Sequence, residues 1–181
     1  MTGVHFTGAG YTGRAWTKSP NECYRRCVGL TIAKTTGAAG ETMLSLAGSI
    51  DEQADLTPLR EVASGALVLD LGGVDRINSV GVREWIRALQ AIPEAVTVTW
   101  VATSVALVSQ LGMIANFHGR SRIRSFYAPY WCAACQAEQR FLLTPADVAT
   151  AAPRFTCPRC AGPLELDELE ADYFGGVRAV G

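Results

Sequence analysis

Four cysteines in the last third of the chain have a spacing that can do chemistry. Cys132-Ala-Ala-Cys135 and Cys157-Pro-Arg-Cys160 form two Cys-x-x-Cys pairs. A two-residue gap lets a tight turn point both sulfurs to one side. Two such turns close a tetrahedron of thiolates, the ligand set that zinc prefers. Gly162, just after Cys160, suits the turn that aims backbone N–H groups at sulfur. Four thiolates around one Zn²⁺ leave a net charge of about −2, which Arg140, Arg154 and Arg159 are placed to soften. A full shell of cysteines leaves no open position, so the zinc would be structural rather than catalytic. A thiol redox protein is the rival reading. It needs one reactive pair and leaves the second unexplained. His5 and His118 are not at ligand spacing. Cys23 and Cys27 read as two unrelated thiols.

A second candidate is a serine. The stretch Asp70-Leu71-Gly72-Gly73-Val74-Asp75-Arg76-Ile77-Asn78-Ser79-Val80-Gly81 leads from an apolar strand into the clearest helix of the chain. Ser79 falls at the N-cap or one residue from it. The plain role there is capping, in which Ser or Asn accepts a backbone N–H bond worth about 1 kcal/mol. The same geometry suits a phosphate, because a helix N-terminus offers free N–H donors and a positive partial charge. Gly8-Ala9-Gly10-Tyr11-Thr12-Gly13 matches a dinucleotide fingerprint, but Pro20 interrupts the helix it needs. Lys34 stands near where the acidic partner belongs. Cofactor binding is therefore not expected at these glycines. No nucleophile set or paired acid and base stands out, so an enzyme is not expected.

The elements that must position these residues divide the chain in three. Residues 1–27 read as an N-terminal tail. Residues 28–128 alternate strands with helices, which predicts an α/β domain with a mixed or parallel sheet. Strands are expected at 28–34, 43–50, 66–71, 96–101 and 122–127. The 66–71 strand is expected to be buried on both faces and broken by Gly72-Gly73. Helices are expected at 54–64, 80–92 and from Thr103 or Ser104 to about Asn116. Residues 129–181 hold the four cysteines and too little apolar content for a core of their own. The aromatic join Phe126-Tyr127-Ala128-Pro129-Tyr130-Trp131 predicts that this module docks on the sheet domain.

Charge follows the same division. The total is −1, but residues 1–41 carry five basic and two acidic side chains. Residues 129–181 carry four basic and seven acidic ones. A zinc module of that sign is a poor match for phosphate backbones, so nucleic acid is not the expected partner. A nucleic-acid or complex adaptor using the zinc module is the second reading. No apolar run reaches membrane-spanning length and the start lacks a leader-like apolar block. A cytoplasmic protein with reduced thiols is the expectation.

The stretch from Asp70 to Val82, together with Leu44-Ser45-Leu46-Ala47-Gly48-Ser49-Ile50-Asp51, resembles the STAS domain of anti-sigma factor antagonists. The resemblance covers about residues 28–128. It implies a small sheet of four or five strands with packed helices, and a non-enzymatic role in bacterial signalling by protein–protein interaction. Family members carry a serine at the start of the second helix that an anti-sigma kinase phosphorylates. Ser79 is the matching position. Asn78, Ser79, Gly81 and Arg83 are the expected contact residues for an anti-sigma-like or other signalling partner. The family usually has Asp then Ser-Ser-Gly where this chain has Asn78, Ser79, Val80 and Gly81. The module at 129–181 resembles a zinc ribbon.

Overall fold

The computed structural model describes residues 29–180. Strand β3 (Gly65–Ile77) organises the first sheet. Leu67, Leu69, Leu71 and Val74 are buried, while Val68 and Asp70 between them are half-buried. The strand is therefore covered on one face, not both. Its neighbours are β2 (Thr42–Ile50) and β4 (Val96–Val101), both parallel to it. β1 (Leu30–Thr36) lies antiparallel to β2, and β5 (Arg122–Ile123) lies parallel to β4. The order is β1-β2-β3-β4-β5. Each parallel step moves in the same direction, so right-handed crossovers place their helices on one face. These helices are α1 (Thr57–Arg60), α2 (Ser79–Gln90) and α3 (Val105–Leu111).

Several expectations change. Gly72-Gly73 does not break β3. A Cβ on Gly73 would lie 2.7 Å from that of Ala47, so the missing side chain permits close approach where the β2 register shifts. The helix expected at 54–64 is one turn, although Leu56, Leu59 and Val62 are all buried. Gly65, at φ +90°, turns the chain into β3. α3 ends at Leu111, well before Asn116. The strand expected at 122–127 is two strands. β5 stops at Ile123 and β6 (Phe126–Cys132) starts a second sheet.

β6 joins the two sheets. Its first residue bridges in parallel to Thr103, just past β4, and the Tyr127 N–H donates to the Thr103 carbonyl at 2.8 Å. The strand then pairs antiparallel with β7 (Ala137–Leu143) and β8 (Glu165–Leu166). Residue 128 thus lies inside a strand. A final helix, α4 (Glu170–Arg178), has no counterpart in the sequence reading. It packs on α3 by backbone approach. A Cβ on Gly176 would sit 2.6 Å from the Gly112 nitrogen and 2.8 Å from the Leu111 carbonyl carbon. Phe174 meets Phe126 edge-on at 6.0 Å, and the Tyr173 hydroxyl donates to the Tyr127 carbonyl at 2.6 Å. Burial holds the Tyr173 phenol in its protonated, donating form. One apolar core runs from Leu44 through Trp85 and Trp100 to Val177.

Candidate functional site

The structure brings Cys132, Cys135, Cys157 and Cys160 together. Their sulfurs all lie within 4.8 Å of one another. The Cys132 and Cys160 sulfurs are 3.5 Å apart, and those of Cys135 and Cys157 are 3.8 Å apart. A disulfide needs about 2.05 Å, so these are four free thiols converging on a point. Cys132 sits at the buried end of β6, Cys157 is also buried, and Cys160 is exposed, so one side of the cluster faces solvent.

The two turns share a backbone device. In each, the residue after the second cysteine is left-handed: Gln136 at φ 47° and Ala161 at φ 57°. Neither is glycine, so both conformations carry local strain that the surrounding turn must over-determine. Ala161, not the expected Gly162, makes the reversal in the second turn. Gly162 instead returns its carbonyl to the Cys157 N–H at 2.8 Å, and the Ala161 N–H donates to the Cys157 carbonyl at 2.8 Å. The Cys135 N–H points at the Cys132 sulfur, 3.4 Å away. The Arg159 N–H draws the Cys157 thiol down to about 6. The Cys160 thiol, and then desolvation, push Cys135 up to about 12. Four anionic sulfurs this close repel one another, and a bound cation is what lets all four ionise. The donor set suits a metal. Arg140 has its guanidinium on Glu138, at 2.5 Å.

The serine candidate lies elsewhere, at the start of α2. Asn78 is the cap: its Oδ1 accepts from the Gly81 N–H at 2.8 Å. Ser79 is the first helical residue and is exposed. Gly81 is buried against the end of β2, where a Cβ would fall 2.0 Å from the Ile50 carbonyl oxygen. Gly81 therefore shapes the loop and offers no surface to a partner, contrary to expectation. Arg83 is exposed and pairs with Glu84 at 3.3 Å, which also holds Arg87 at 2.9 Å. Ile77, Asn78, Ser79, Val82, Gln110 and Ile114 line a shallow groove of about 340 Å³ between the start of α2 and the end of α3. Val80 and Met113, beside Ser79 and Ile114 in the chain, are exposed apolar side chains.

The sequence reading missed Glu52. Its carboxylate accepts from the Asn78 Nδ2 at 3.0 Å, so an acid reaches this loop from the turn after β2. A backbone hydrogen bond, and then Asn78, hold the Glu52 carboxyl below its ordinary value. α2 itself has no acidic residue in its first turn. Only the proximity of Asp51-Glu52 to the Leu-Ala-Gly-Ser-Ile strand end could have signalled this contact. His118 is half-buried and lies outside the cysteine cluster, and burial lowers its pKa. His5, Cys23, Cys27 and the glycines at 8–13 lie outside the described residues. Among the described residues, no helix is long and apolar enough to cross a membrane. Comparison of the chain with protein-family models, with curated proteins and with solved structures finds no match.

Proposed function

We propose that this protein is a non-enzymatic regulator of the STAS type, acting through a protein partner that docks at the start of α2, with a structural zinc in the cysteine module. The observation that carries the reading is the placement of Ser79. It is exposed at the first position of a twelve-residue helix, beside a groove lined by residues of both α2 and α3. Asn78 already caps the helix, so Ser79 is not needed as the cap. A phosphate on Ser79 would meet a helix end with no acid of its own and place nearly two negative charges on the groove rim. Five strands with helices on one face support the STAS-like reading. Val80, Met113 and Arg83 extend the contact surface around the groove.

Zinc is supported by the sulfur spacing. Four thiolates at about 2.3 Å from one ion stand roughly 3.8 Å apart along each tetrahedral edge, close to the 3.5 and 3.8 Å seen here. The three-stranded sheet β7-β6-β8, whose β6–β7 hairpin carries the first cysteine turn, supports a zinc-ribbon-like module. Its acidic balance favours a protein partner over nucleic acid.

The test is partner capture from the native cell, compared quantitatively between the wild-type chain, Ser79→Asp and Arg83→Glu. Recovery of the same partner should fall at least about tenfold with Ser79→Asp, a change of about 1.4 kcal/mol, and mass spectrometry should find phosphate on Ser79. Equal recovery with both variants would sink the reading.

A further inference from the structure

We infer that metal loading of the four-cysteine site governs the shape of the Ser79 groove, acting through α4 and α3. This rests on the groove reading above and names how that groove is regulated. The chain of contacts is continuous. The second cysteine turn ends at Cys160, and only β8 separates it from α4. Around that turn the backbone is held by a bridge between Thr156 and Pro163, the Leu164 N–H on the Phe155 carbonyl at 3.0 Å, and the two-residue β8. Strands this short do not hold themselves. With the sulfurs clamped on a cation, they deliver α4 to its seat.

α4 has nine residues and contains Gly175 and Gly176, so it is too short and too glycine-rich to be helical alone. Its seat is the end of α3. Gly176 lies against Leu111 and Gly112, and Phe174 and Tyr173 tie it to β6. α3 is weak as well. It has seven residues and no side-chain cap bond, and the Ser104 hydroxyl at its start is buried without a partner. The last turn of α3 thus depends on what packs against it. That turn carries Gln110, whose carbonyl accepts from the Ile114 N–H at 2.9 Å. Gln110, in α3, and Ile114, just past its end, form the far wall of the groove, facing Ser79 and Val82. Loss of the metal frees α4, frays this wall and remodels the groove, while β2, β3 and β4 keep their own core.

Hydrogen exchange on the full-length chain tests this, comparing metal-loaded protein with protein stripped by a chelator. Stripping should speed exchange about tenfold or more at residues 105–114 and 78–82, the size of a typical coupling between sites, with β2, β3 and β4 still protected. Acceleration confined to residues 132–166, or equal loss of protection throughout β3, overturns the inference. Gly176→Val gives a second arm, because its side chain cannot fit against Gly112. It should speed exchange at 105–114 and 78–82 with metal content unchanged. Unaltered exchange there also overturns the inference. The readout needs no partner, so it stands or falls separately from the Ser79 capture result.

Discussion

The sheet domain and the cysteine module reach order by different means. In the first, Trp85, Trp100 and Phe117 meet within 5.5 to 6.4 Å under a row of fully buried leucines. Apolar area removed from water holds that region at any metal concentration. In the second, strands of two and seven residues surround four thiols and one stacked pair, Phe141 on Phe155 at 3.9 Å. Tyr130 stands edge-on to both rings and donates its hydroxyl to the Pro153 carbonyl at 2.8 Å. That cluster is small, and the sulfurs cannot all ionise without a cation. One region is therefore built to persist and the other to respond. Their meeting point, α4 on α3, is where a response in one can reach the other.

The largest expected effect separates the two regions by metal. Structural zinc contributes apparent binding energies on the order of 10 kcal/mol or more to small modules of this kind. Chelation, or Cys132→Ser at the buried end of β6, should release the metal and open residues 132–166 to protease. The segment from Thr42 to Val101 should stay resistant. Limited proteolysis read by mass spectrometry checks this. Simultaneous digestion of both segments would erase the distinction.

The second effect attacks the other region. Trp85→Ala removes the centre of the aromatic cluster, and large-to-small changes of this kind cost about 3–5 kcal/mol. Urea unfolding should show that loss, with metal content per folded chain unchanged. Metal loss from a still-folded Trp85→Ala chain would mean that the sheet domain, rather than the thiols, organises the module.

The two regions also differ in how far sequence reveals them. The four-cysteine cluster is legible because a Cys-x-x-Cys turn is local, and two such turns are enough to suggest that their sulfurs converge. The left-handed residues at Gln136 and Ala161 are not legible, since nothing in a glutamine or an alanine announces φ > 0. β4 is legible through its alternation and α2 through its apolar stripe. β3 runs past Gly72-Gly73 because a neighbouring strand, not local propensity, decides whether the chain stays extended. α4 is hidden for the converse reason. Gly175-Gly176 argues against a helix, yet Gly176 is what lets the helix reach α3. Asn78 as cap is within reach of the sequence, because Gly81 lies only three residues on, but the Glu52 contact depends on where β2 ends relative to α2. That is a tertiary distance, not a spacing along the chain.

The smallest effect sharpens the comparison inside the Ser79 loop, where order comes from hydrogen bonds rather than from a metal or a large apolar cluster. Asn78→Ala removes the bond to the Gly81 N–H and should cost about 1 kcal/mol at pH 7 in urea unfolding. The same side chain also donates to Glu52, whose carboxyl is held below the ordinary 4.5. A lowered carboxyl stabilises the fold fully above its unfolded value, and that contribution is lost as pH falls through the lower folded value. The Asn78→Ala cost should therefore be greatest at neutral pH and shrink in acid. In a Glu52→Gln background that pH dependence should be reduced, leaving the cap bond. A cost that is the same at pH 7 and in acid would mean that Asn78 acts on Gly81 alone and that Glu52 is a bystander at the groove.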